Sequence, residues 1–146
     1  MKEAKTREKR LLLAIGEFIY EFSSLEFNIR WVLGMELKVG LDRYDAVLSF
    51  YDFATLCRVA QAVLTQFQQI KKKKEIEHTF KACLKVNDVR NQIVHGTWLL
   101  GSGTRHVSRQ TLEPSIYLEQ TDEIVEKTRE IKKLQKDIAA LMPQIR

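Results

Sequence analysis

The sequence predicts an all-α protein, an up-down helical bundle of four to five helices with a short hairpin-like insert before the last one. Apolar residues recur at three- and four-residue steps over most of the chain, the mark of helices with one buried face. Only two prolines and six glycines occur in 146 residues, so little interrupts long helices. The one cluster of turn-forming residues, Gly101-Ser102-Gly103-Thr104, falls where the helical period gives way to short extended runs.

Taken in order, Met1 to Arg10 is charged and reads as an exposed helix start. Leu11, Ile15, Phe18, Ile19, Phe22, Leu25, Ile29 and Val32 then form the apolar face of a long first helix, with Gly34 and Gly40 bracketing its end. Asp42 is placed to cap a short helix over Tyr44 to Ser49, and Asp52 to cap the next. Leu56, Val59, Ala60, Val63, Leu64, Phe67 and Ile70 give that helix its apolar face. Phe50, Tyr51 and Phe53 cluster at the joint, as packing at a helix corner. Lys71 to Lys74 form a run of like charge between two periodic segments, read as a solvated junction or as a patch that tracks phosphates.

A third long helix runs from about Glu75 to His95, with Gly96 suited to the left-handed residue that ends a helix. Trp98 to Leu100 and Arg105 to Leu112 read as a hairpin, with a further extended piece from Ile116 to Leu118. Thr121 caps a final helix, with Asp122 and Glu123 in its first turn. There Ile124, Ile131, Leu134, Ile138 and Leu141 keep a seven-residue rhythm until Pro143 stops it.

Composition bounds the function. The length suits one domain, residues 1–146, with a core of its own. A net charge of +5 permits a polyanionic partner such as RNA without requiring one. Cys57 and Cys83 lie far apart, with no second pair and no clustered histidine, which argues against a zinc site and a disulfide framework. No metal or cofactor is implied. The most apolar stretch, Leu11 to Leu33, is interrupted by Glu17, Glu21, Glu26, Asn28 and Arg30, so no membrane span is expected and a soluble cytoplasmic protein is the simplest reading.

The stretch from Lys85 to Trp98, K-V-N-D-V-R-N-Q-I-V-H-G-T-W, carries the functional signal. At about 100° per residue, Ile76, Phe80, Cys83, Leu84 and Val94 form one apolar stripe, and Asn87, Arg90 and Asn91 project from its middle. Val86, Val89 and Ile93 form a second strip, so the helix is covered on two faces. An arginine and two amides buried without partners would cost several kcal/mol, so the polar row needs a partner, a ligand or a wet cleft. His95 ends the row at the helix C-terminus, whose partial negative charge favours an imidazolium, a setting that suits proton transfer near neutrality.

The spacing Arg90-Asn91-x-x-x-His95, closing a helix before Gly96, resembles the R-x(4-6)-H signature of the HEPN superfamily, in which a polar residue commonly follows the arginine. The resemblance extends over nearly the whole chain: a long first helix carrying Ser24-Leu25-Glu26, a second helix, the motif helix, a short extended insert and a closing helix. It implies a homodimer with a composite active site that cleaves RNA without a metal. Arg90 would hold the phosphate, Asn91 the phosphate or His95, and His95 would transfer protons. Asn87 is a supporting candidate and Glu26 a candidate to orient Arg90, while Arg105, Lys71 and Lys72 are candidate contacts to the RNA backbone. Such proteins are often toxins of toxin-antitoxin or phage-defence systems, which implies an antitoxin protein as a further partner. A non-catalytic dimerisation or binding module for a protein or nucleotide partner is the alternative. A helical DNA-binding protein is a weaker third reading, since no helix-turn-helix spacing is apparent.

Overall fold

The structure is a computed structural model and describes residues 2–99 and 103–142. Five helices, α1 (Lys2–Glu36), α2 (Tyr44–Leu48), α3 (Phe53–Thr65), α4 (Ile70–His95) and α5 (Thr121–Ala139), enclose one core. Between α4 and α5 lies a small antiparallel sheet of β1 (Thr97–Leu99), β2 (Gly103–Val107) and β3 (Pro114–Tyr117), in that order. The chain is therefore predominantly helical but not all-α. The insert is a three-stranded meander, because the segment after Pro114 pairs with β2, Ile116 facing Arg105 and Ser115 facing His106.

The helices alternate in direction when α2 is counted. The pairs Arg10 with Asp122, Lys132 with Glu17 (2.7 Å) and Gln135 with Glu21 (2.7 Å) advance together along α1 and α5, so these two run parallel. α3 also runs with α1, its Phe53 ring 4.5 Å from that of Phe22. α2 supplies the return. Gly34 is buried beneath the Tyr44 ring and Leu48, where a Cβ would come within 2.9 Å of the ring. Arg30 fastens the corner, donating to the carbonyls of Leu48 (3.2 Å) and Tyr51 (3.3 Å) while paired with Glu26 at 2.6 Å.

Most of the expected apolar faces form the core. Phe18, Phe22, Leu25, Ile29 and Val32 of α1 are buried, as are Leu56, Ala60 and Leu64 of α3 and Ile124, Ile131, Leu134 and Ile138 of α5. Phe67 and Ile70 are not: α3 stops at Thr65, and the turn over residues 66–69 leaves them 89% and 74% exposed. The lysine run is not a junction but the first turns of α4, which begins five residues earlier than expected.

Helix ends follow capping chemistry, with some shifts of position. Asp52 caps α3, accepting from the Thr55 amide at 2.9 Å and its hydroxyl at 2.8 Å. Those bonds hold its carboxyl below the usual aspartate range. Asp42 does not cap α2: the helix begins at Tyr44 as expected, and the cap position directly before it is held by Arg43, which makes no side-chain cap bond. The cap of α5 is Gln120 rather than Thr121, in a reciprocal box with Glu123. Neither glycine closes α1: Lys38 takes the left-handed conformation (φ 54°), with Val39 donating to Gly34 and Lys38 to Met35. Leu100, the Gly101-Ser102 part of the expected turn and Pro143 lie outside the described residues.

Cys57 and Cys83, distant in sequence, meet where α3 crosses α4 as buried free thiols. The hydrogen bond to Cys83 and burial push the Cys57 thiol far above its ordinary range. Among the described residues no helix is long and apolar enough to cross a membrane.

Candidate functional site

The site arises from a mismatch in helix length. α4 has 26 residues and α3 only 13. With Cys57 against Cys83 and the two helices antiparallel, the first residue of α3, Phe53, lies opposite about residue 87. The last two turns of α4 run on past it. Asn87, Arg90, Asn91 and Val94 continue the stripe that packs on α3 higher up, where α3 is no longer there to cover them. Asn87, Arg90 and Asn91 are accordingly half-buried and Val94 is 46% exposed. The α3-facing side of α1 is uncovered in the same way: below Phe22, Ile15 is half-buried and Ile19 is 36% exposed. The polar row thus lies where α3 leaves α1 and α4 uncovered, with Arg90 over Phe22 of α1.

Arg90 is held without an acidic partner among the described residues. Its guanidinium carbon lies 6.0 Å from the centre of the Phe22 ring, and Nη1 donates to Asn91 Oδ1 at 3.2 Å. Phe22 is itself packed on Phe53, so the first residue of α3 fixes the platform under Arg90. A guanidinium so placed keeps most of its five donors for an anion.

The end of α4 is held by the sheet. The Trp98 indole donates to the carbonyl of Ile93 and the Thr104 hydroxyl to that of Gln92, both at 3.1 Å. The Ile93 carbonyl, left over at the helix end, thereby finds a partner, and the Gln92 carbonyl, which already accepts from the Gly96 amide at 3.1 Å, gains a second donor in the fully buried Thr104. Gly96 is not left-handed as expected. It is extended (φ −77°, ψ 155°), and glycine is required by crowding, because a Cβ would collide with the Thr104 hydroxyl and the Gln92 carbonyl. His95 stands exposed at this pinned end.

Other candidates fall in different places. Arg105 is exposed on β2, its backbone paired with Thr97, two residues from His95. Glu26 does not reach Arg90, because its carboxylate is engaged by Arg30 one turn along α1. Lys71 and Lys72 are exposed at the opposite end of α4, Lys72 beside Glu75 at 3.3 Å. At 1.5 Å per residue they are roughly 35 Å from His95 and no part of the same surface. Arg30, Trp98 and Thr104 were not singled out as supporting residues in the sequence. The Glu26–Arg30 spacing was the only local signal for any of them.

Within one chain Arg90 and His95 leave the helix about 140° apart, so a single molecule sets an arginine and an amide pair on this surface, with the imidazole exposed at the helix end. Among the described residues no three His, Cys, Asp or Glu side chains gather as a metal site. Comparison with protein families, curated proteins and solved structures finds no match to this chain.

Proposed function

We propose that this protein is a metal-independent endoribonuclease of the HEPN type, a homodimer whose two Arg90-Asn91-His95 sets line one shared cleft. The observation that carries the reading is the half-buried Arg90, held over Phe22 beside Asn91 with no carboxylate among the described residues to neutralise it. Apolar residues flank the row: Ile19 and Val94 are uncovered where α3 ends, and a second copy related by a two-fold axis covers them and brings the two sets together. The 140° divergence between Arg90 and His95 is then no obstacle, since each copy completes the other's site.

RNA brings its own nucleophile. One imidazole removes the proton of the 2'-hydroxyl, O2' forms a bond to phosphorus, and the bond to O5' breaks as the second copy's His95 supplies that oxygen with a proton. The planar fork of Arg90 meets the charge on the phosphate oxygens as it grows. Asn91 holds Arg90 in place. The products are a 2',3'-cyclic phosphate and a 5'-hydroxyl. Arg105, two positions from His95 through the β1–β2 pairing, extends the cationic surface along the strand. The accompanying biological role is that of a cytoplasmic toxin restrained by an antitoxin protein, in a toxin-antitoxin or phage-defence system.

The test is purified protein with structured and unstructured RNA in the presence of a chelator, alongside Arg90→Ala and His95→Ala. Wild-type cleavage that falls by on the order of 100-fold or more in both variants supports the enzyme. Equal cleavage by all three would indicate a contaminating nuclease or a non-catalytic dimerisation module, and no cleavage by any of them would favour the module.

A further inference from the structure

Beyond the face that it buries in the bundle, the 35-residue α1 carries a second apolar stripe, on its far side. Leu13, Tyr20 and Phe27 recur at seven-residue steps and are 64%, 69% and 57% exposed. Half-buried Trp31 continues the stripe, its ring 6.2 Å from that of Phe27. Ser23 and Ser24 floor the interval between the Tyr20 and Phe27 rings, and these four residues with Asn28 line a shallow groove of about 330 Å³. Residues at i, i+3, i+4 and i+7 are the four sides of the hole that receives a facing helix in coiled-coil packing. One turn before Tyr20, Gly16 has open space where a side chain would stand.

We infer that a second copy of the chain docks on this stripe, α1 against α1 and antiparallel, with a two-fold axis passing between Ser23 and Ser24. The argument is the symmetry of the stripe itself. About that axis Tyr20 faces the partner's Phe27, Ser23 faces the partner's Ser24, and Gly16 faces the partner's Trp31. Large side chains meet small ones or interleave, and the serines let the two backbones approach. A parallel pairing has no such fit, since it sets Trp31 against Trp31 and Gly16 against Gly16. The contact is self-complementary, as an isologous interface must be. Six aromatic side chains from two copies, about 150–250 Å² each when fully buried but part-covered already, supply on the order of 600 Å², and the residues flanking them on the two 35-residue helices bring the contact toward the roughly 1,000 Å² of a specific interface.

This face is turned away from the α3 side of α1, so the contact is separate from the one proposed to join the two Arg90-Asn91-His95 sets; where both form, they link dimers into a larger assembly, and the inference does not rest on the nuclease reading. The test uses the full-length chain. Ser24→Cys places a thiol beside the axis, while Cys57 and Cys83 are buried. Mild oxidation should convert most of that variant to a covalent dimer and leave a Lys81→Cys control on the exposed side of α4 largely uncoupled. In parallel, Tyr20→Asp with Phe27→Asp should halve the mass seen by light scattering relative to wild type, with the helical circular dichroism unchanged. Cross-linking of Ser24→Cys no greater than the control, or an unchanged mass in the double variant, overturns the inference. Loss of RNA cleavage in Arg90→Ala with undiminished Ser24→Cys cross-linking concerns the cleft alone.

Discussion

Arg90 occupies a position where the helical repeat calls for a leucine, and the reason is local: α3 begins opposite the preceding turn, so no residue of α3 covers it and the Phe22 ring of α1 lies beneath it. The anomaly was legible in the sequence because periodicity alone puts Asn87, Arg90 and Asn91 inside the stripe of Ile76, Phe80 and Cys83. What filled the space around Arg90 was not legible. Glu26 is one candidate to orient it, beside the plainer reading of a solvated glutamate, yet a ring, Phe22, lies beneath Arg90 and Glu26 serves Arg30. Which of two arginines a glutamate meets depends on helix crossings that no local pattern encodes. Under the proposed mechanism, Arg90→Lys keeps the charge and loses the planar fork; cleavage rates in chelator should fall about 10-fold or more while the helical spectrum is unchanged. Lys38 offers a stability test of a different kind. It holds a left-handed conformation that costs a side-chain-bearing residue about 1–2 kcal/mol, so Lys38→Gly should raise unfolding stability by about 1 kcal/mol, read from the midpoint of a urea titration.

At the level of elements, the junction of α4 with the sheet decides how well His95 is held. Its location was evident from the shift in period after Gly96, but the role of that glycine was misassigned, because a left-handed helix end and a close approach demand the same residue. Only the packing of Thr104 against Gln92 separates the two causes. Thr104→Val removes one of the two donors to the Gln92 carbonyl and leaves the Gly96 amide bond in place, so it should cost about 0.5–1.5 kcal/mol. Gly96→Ala should lower the melting temperature as well, since the methyl group and the Thr104 hydroxyl cannot share one place. The start of α3 matters equally, for Phe53 packs on the ring that carries Arg90. The capping carboxyl of Asp52 is held below its ordinary range by the Thr55 bonds. Its contribution is therefore present above the pKa of the unfolded chain, about 3.9, and fades as pH falls through the lower folded value. Asp52→Ala should melt at a lower temperature than wild type at pH 7, and the gap should narrow as the pH is taken below about 4.

Over the whole molecule, the succession of helices and the apolar faces of α1, α3, α4 and α5 could be read in advance, since each is a repeat confined to one segment. Relations between segments could not. The pairing of the extended piece after Pro114 with β2, the meeting of Cys57 with Cys83, and the 13-residue α3 that leaves the end of α4 uncovered all depend on how segments align. The same holds for Lys71 and Lys72: in sequence they belong to the motif helix, and in space the length of that helix separates them from the motif. Asn87, Arg90, Asn91 and His95 do share the final turns of α4, three of them half-buried and His95 exposed at the helix end.

The measurement closest to the central claim is the chemistry of the RNA ends left after incubation in chelator, compared between wild type and His95→Ala on a strand with a single 2'-deoxy position. The proposed mechanism predicts 2',3'-cyclic phosphate and 5'-hydroxyl ends from wild type, no cut at the deoxy position, and loss of these products in His95→Ala. Fragments ending in 3'-hydroxyl and 5'-phosphate, cleavage at the deoxy position, or identical products from the variant would contradict it.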